Sequence, residues 1–255
     1  MGEVTNMSWM LVPLFMVTAC MYAMVGFGGG STYIAILAAW GVPYIQIPQI
    51  SLICNVLVVA GGCIHLFSLG YGDIRRLLPF LLTSIPMAYL GGRIFISKEL
   101  FMLVLGSVLL TAGFRLLVSQ TCKVRRYVSA RNIWMWGLPL GALLGLISGM
   151  VGIGGGIFLS PLLYFLRWDD AKGISAAASL FILTNSISGL AGQIMKSGVT
   201  VSFGDLLPLM MAVVVGGQLG SFFAARKFTA MCVQRCTGIL IVIVAARILL
   251  KTVSI

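Results

Sequence analysis

Long apolar stretches, each near the twenty residues needed to cross a bilayer, alternate along the chain with short polar or glycine-rich interruptions. Marked off at turn and charge signals, the first half runs 9–25 into a glycine cluster and on through 31–40. It continues with 45–67, 77–96 and 100–118. After a polar, basic stretch the order recurs: 133–151 into a second glycine cluster and on through 157–166, then 171–195, 203–225 and 229–250. The pattern predicts an all-α polytopic membrane protein with about eight hydrophobic segments in two homologous halves. The halves are 1–118 and 132–255, joined by a basic connecting loop at 119–131.

The halves agree in detail. "VGFGGGSTY" (25–33) and "VGIGGGIFL" (151–159) interrupt the first segment of each, and a tryptophan, Trp40 or Trp168, follows each cluster. Asn55 in "SLICN" matches Asn185 in "SLFILTN", Asp73 and Pro79 match Asp205 and Pro208, and Gly91-Gly92 matches Gly216-Gly217. A repeat built around two broken segments is the sequence sign of a carrier whose site lies where the breaks meet.

Composition fixes the solvent. With 60% hydrophobic and 9% charged residues, the chain has too little polar surface to coat a water-soluble globule. No Lys or Arg precedes the first apolar run, so that run is expected to stay rather than be cleaved as a leader. The formal charge of +11 reads as topology, with "KVRR" (123–126) marking a cytoplasmic loop. No nucleic-acid partner is expected. The six cysteines contain no CxxC pair and read as small hydrophobes.

The paired "G-x-G-G-G" motifs, the Asn-bearing second segments and the hydrophobic segments together resemble the sulfite exporter TauE/SafE family, also called the transmembrane sulfonate and sulfite transporters. The resemblance covers essentially the whole chain. It implies movement of small sulfur-containing or related organic anions across the bacterial inner membrane without ATP hydrolysis, with substrate and direction varying among members.

A backbone interruption at membrane depth is tolerated only where protein or a water-filled cavity covers it. If Ser31 and Ile157 open short helices after the clusters, the amides of Gly29, Gly30, Ser31, Gly155, Gly156 and Ile157 point into the gap with two helix dipoles behind them. Gly28 and Gly154 complete the breaks, and Asn55 and Asn185 supply neutral polar groups. These ten residues form the expected site for a small oxyanion. Two other readings stand beside it: close helix packing through small residues, and asparagines that only bridge helices. Thr32, Thr184 and Gln193 are weaker candidates, and His65, the lone histidine, is either interfacial or a proton-coupling group.

All six acids fall at segment edges or in loops, which disfavours cation transport. No catalytic triad, nucleotide motif or metal-ligand spacing is present, so no enzyme activity, cofactor or metal is expected. The partners are the small anion and the lipid bilayer, with a homodimer left open. A passive anion channel and a carrier of small carboxylates are the rival functions.

Charge counting separates two drawings. If each broken segment crosses the membrane, eight crossings result and the halves are parallel. If each turns back as a re-entrant hairpin, the second half is inverted. The hairpin drawing gathers Arg75, Arg76, Arg115, Lys123, Arg125, Arg126, Arg131, Arg167, Lys172, Arg226, Lys227 and Arg235 on one face. Because Lys and Arg favour the cytoplasm, the inverted repeat with both termini outside is favoured.

Overall fold

A computed structural model describes residues 2–24, 26–118, 130–165, 168–169 and 171–224, and within the last segment 239, 242–243, 245–246 and 249–250. The basic stretch 119–131 and the apolar segment 229–250 thus fall largely outside the described residues. The described residues form nine α-helices and no strand: α1 (Gly2–Ala23), α2 (Gly30–Ala39), α3 (Gln46–Ser68), α4 (Ile74–Arg93), α5 (Lys98–Val118), α6 (Ala130–Val151), α7 (Gly156–Phe165), α8 (Ala171–Ser197) and α9 (Phe203–Ala224). Helices satisfy their backbone groups internally, which an apolar solvent demands. Four stretches, Gln46–Ser68, Ile133–Val151, Lys172–Ser197 and Phe203–Phe222, are long and apolar enough to cross a membrane. Large apolar side chains such as Trp9, Ile64, Met135, Met211 and Phe222 lie exposed on the outside, a surface suited to lipid rather than water. The described residues are helical throughout their regular structure, and the protein is multi-pass.

Each glycine cluster divides its segment into a long and a short helix. α2 runs back along α1: Tyr22, near the end of α1, meets Ser31 and Thr32 at the start of α2. The next residue, Tyr33, stacks on Phe15, two turns earlier in α1, with ring centroids 4.7 Å apart, and one turn further along α2 Leu37 lines a cavity together with Leu11 of α1. α2 therefore turns back beside α1. In the second half, Leu140 and Leu144 of α6 share a core with Leu159 and Leu163 of α7.

The two halves interdigitate. α1 packs chiefly on α9, α6 on α4, and α3 on α8. Glycines allow these close approaches. Gly137, Gly141, Gly145 and Gly149 of α6 lie successively against Pro79, Phe80, Ser84 and Ala88 of α4, so these two helices run in the same direction. At Gly149 the Ala88 carbonyl already occupies the place a Cβ would take, so any side chain would force the backbones apart. Gly216 and Gly220 of α9 meet Met16 and Cys20 of α1 in the same manner.

α3 and α8 instead run antiparallel. Gln49 at the start of α3 donates to Ser197 Oγ (3.3 Å) and to the Gly198 carbonyl (2.9 Å) beyond the end of α8. Farther along, Leu52 lies 3.6 Å from the Cβ position of Gly189. At the opposite end, Lys172 Nζ at the start of α8 donates to Tyr71 Oη beyond the end of α3 at 3.1 Å. The loop after α3 and the start of α8 thus share one end of the molecule, while residues 46–49 and 197–200 share the other.

Candidate functional site

The chain leaves α1 through Gly26 (φ 81°) and enters α2 through Gly29 (φ 89°, ψ 5°), a left-handed conformation that L side chains rarely adopt. The second break repeats it with Gly152 (φ 88°), Gly154 (φ 81°) and Gly155 (φ 79°). α2 begins at Gly30 and α7 at Gly156, each one residue earlier than expected, because the preceding left-handed glycine already caps the helix. The Gly29 carbonyl accepts from the amides of Thr32 and Tyr33, and the Gly155 carbonyl from those of Phe158 and Leu159. The first-turn amides of Gly30, Ser31, Gly156 and Ile157 have no backbone acceptor among the described residues. Residues 27–35 and 151–157 are buried, so neither break faces lipid.

α3 joins the two breaks. Ser51 Oγ lies 3.2 Å from the Gly30 carbonyl oxygen and 2.8 Å from that of Gly152, reaching both halves from one side chain. One turn later Asn55 Nδ2 donates to the Ile153 carbonyl at 3.1 Å. The same amide leaves no room for side chains at Gly28 or Gly30, and a Cβ on Gly154 would lie 3.1 Å from its nitrogen. Gly28, Gly30, Asn55, Ile153 and Gly154 therefore meet at one buried place. Ser51 and Asn55 themselves are fully buried.

The repeat is not obeyed in its side chains. Asn185 Nδ2 donates to the Phe181 carbonyl of its own helix at 2.9 Å rather than across to the first break. The atoms nearest the Cβ positions of Gly154 and Gly156 come instead from Ile182, Ser186, Ala178 and Asn55. Around the first break Tyr22 Oη lies 3.1 Å from Ser31 Oγ and 2.9 Å from Thr32 Oγ1, while Tyr33 Oη, 3.1 Å from the Cβ position of Gly29, is buried without a hydrogen-bond partner. The second break has unpaired hydroxyls too. Ser186 Oγ, 2.9 Å from the Cβ position of Gly154, and Ser148 Oγ are buried without hydrogen-bond partners, as are the amide oxygens of Asn55 and Asn185. Orphaned buried polar atoms are uncommon, and others lie away from the breaks, at Ser84 of α4 and Gln193 of α8.

No charged side chain is buried among the described residues, so the positive potential at the breaks comes from backbone dipoles. Of the weaker candidates Thr32 lies at the first break, bonded to Tyr22, and the others lie elsewhere. Thr184 Oγ1 bonds the Leu180 carbonyl of its own helix, Gln193 Nε2 bonds the Gly149 carbonyl where α8 meets α6, and His65 is exposed near the end of α3. Ser51, Tyr22 and Ser186 were not expected from the sequence. Ser51 did carry a signal, since it precedes Asn55 by four residues and shares its helix face. Ser186 carried none beyond its place beside Asn185.

Residues 11–248 match the model of the sulfite exporter TauE/SafE family. A probable membrane transporter protein, y4hK, of Sinorhizobium fredii (strain NBRC 101917 / NGR234) is 29% identical over 238 residues, spanning 92% of this chain and 95% of the relative. No solved structure matches the chain. With matching extending from α1 into the last apolar segment, the chain belongs to the sulfite exporter TauE/SafE family.

Proposed function

We propose that the protein is a secondary transporter that moves a small anion across the bacterial inner membrane through a site formed by the two glycine breaks. Sulfite, a sulfonate or a related organosulfur anion is the preferred substrate. The observation that carries this reading is the joining of both breaks, one from each half, by Ser51 and Asn55 in one buried place. In this reading the first-turn amides of α2 and α7, which follow left-handed glycines, face that place and offer an oxyanion several N–H donors and two helix dipoles. Backbone amides recognise negative charge while discriminating poorly among oxyanions of similar size. The preference for sulfur therefore follows the family.

The arrangement of helices supports the inverted repeat with hairpin breaks. α3 and α8 hold matching places in the two halves and run antiparallel, as a two-fold axis in the membrane plane requires. α2 turns back on α1 instead of continuing it. The proposed halves, 1–118 and 132–255, pack into each other, with α1 on α9 and α4 on α6, which fits repeats that fold as one unit.

Uptake of labelled sulfite into proteoliposomes, with saturation and counterflow, tests the reading. Saturable uptake accelerated by sulfite on the opposite side marks a carrier. Linear, conductive flux without counterflow marks the anion channel, and preference for acetate or succinate over sulfite marks a carboxylate carrier.

A further inference from the structure

Two cavities of opposite charge open at the end of the molecule where α3 begins and α8 finishes. One, of about 260 Å³, has Gln46, Thr200, Ser202 and Asp205 on its wall over an apolar floor that includes Leu37 and Ile50. The other, of about 50 Å³, is walled by Tyr44, Pro48, Phe95, Met150, Lys196 and Ser197. Since one water needs roughly 10–15 Å³ measured in this way, the smaller cavity has room for one oxyanion of a few heavy atoms.

Lys196 lies half-buried in the last turn of α8, its ammonium 6.0 Å from the centroid of the Phe95 ring. No carboxylate pairs with it among the described residues. A partly desolvated ammonium without a counter-charge attracts an anion more strongly than a fully hydrated one. The cavity also backs onto the second glycine break. A Cβ on Gly152 would lie 2.6 Å from Pro48 Cα in its wall, and the Gly152 carbonyl is the one Ser51 reaches at 2.8 Å. Met150, two residues before Gly152, lines the same wall. The charge of Lys196 and the buried amides are thus joined through one thickness of packed residues.

We infer that this cavity is an outer site for a small oxyanion, held at the Lys196 ammonium before it passes to the glycine breaks. The neighbouring cavity repels the same anion through Asp205. The inference rests on the transport reading above and extends it by naming where the anion first binds. A compact ammonium with three rotatable donors suits a tetrahedral or pyramidal oxyanion that must also leave.

The full chain in proteoliposomes tests it, with sulfite as the probe and initial uptake measured against concentration at low and high ionic strength. Lys196→Gln should raise KM about tenfold at low salt and leave kcat within about twofold, and it should lose the salt dependence of KM that the unaltered protein shows. Lys196→Arg should restore both. An unchanged KM with unchanged salt dependence in Lys196→Gln overturns the outer site. In that case loss of uptake in Gly156→Val would leave the transport reading standing. If the unaltered protein does not transport sulfite, the transport reading fails, and thermal stabilisation by sulfite decides the cavity. Stabilisation that falls in Lys196→Gln and returns in Lys196→Arg keeps the outer site. Stabilisation that is equal in all three, or absent from the unaltered protein, removes it.

Discussion

Asn55 and Asn185 hold matching places in the repeat, yet Asn55 donates across to the Ile153 carbonyl while Asn185 donates back to Phe181 of its own helix. The two should therefore respond differently to substitution. Asn55→Ala removes an inter-half bond and leaves a buried carbonyl unpaired, a loss of about 1–2 kcal/mol for a membrane helix bundle. It should lower the thermal unfolding midpoint in detergent and abolish stabilisation by sulfite. Asn185→Ala removes a bond to a carbonyl already engaged by its own helix, so its effect on stability should be smaller. Equal losses in the two variants would contradict the asymmetry.

Much of this arrangement was legible in the sequence. Runs of about twenty apolar residues reported the helices, because a bilayer allows little else. The matched glycines located both breaks, because four glycines in five positions cannot continue a regular helix at low cost. Hydropathy is blind to whether a chain crosses a bilayer or turns back within it, so in the sequence only charge counting favoured a hairpin for α2. The partners of Ser51 and Ser186 were hidden for another reason. They depend on which face of α3 or α8 meets which break, and apolar residues on every face leave no periodicity to read.

Two left-handed glycines separate local strain from site chemistry. Gly154 (φ 81°) has Ile182 Cγ2 and Ser186 Oγ each 2.9 Å from its Cβ position, whereas Gly41 (φ 82°) faces open space. Each should lose about 1 kcal/mol of stability on replacement by alanine, from backbone conformation alone. Gly154→Ala should in addition abolish sulfite uptake, and Gly41→Ala should transport at close to the normal rate. Comparing uptake per folded molecule, by size-exclusion chromatography and transport on the same preparations, checks this pair.

Ser186 offers a hydroxyl that is buried, unpaired and beside the second break. Removing an unsatisfied buried hydroxyl relieves a desolvation cost, so Ser186→Ala should leave the unliganded protein as stable as before or slightly more so. If the hydroxyl donates to the anion, sulfite affinity should fall roughly tenfold, the worth of one hydrogen bond to a charged group. Ser31→Ala is the contrasting case, because Ser31 Oγ already has Tyr22 as a partner and loses stability when truncated. Thermal shifts with and without sulfite report both quantities for each variant.

The ends of α3 and α8 give the proposed topology a direct test. Lys172 Nζ lies 3.1 Å from Tyr71 Oη, so residues 70–72 and 172 share one end of the molecule. Gln46 Nε2 lies 3.0 Å from the Thr200 carbonyl, and Gln49 Oε1 accepts from the Thr200 amide at 3.1 Å, so residues 46 and 200 share the other. Eight crossings with parallel halves would put 71 and 172 on opposite faces, and likewise 46 and 200. The hairpin drawing places each pair together and puts the face carrying Arg75, Arg76 and Lys172 in the cytoplasm. Single cysteines at Gly70, Lys172, Ser97 and Ser202, introduced after the native cysteines are replaced by serine or alanine, should divide accordingly. In intact cells a membrane-impermeant maleimide should label positions 97 and 202 and reach 70 and 172 only after permeabilisation. Labelling of 70 and 172 from opposite sides would exclude the hairpin drawing. Labelling of both from outside would keep the inverted repeat and reverse its orientation.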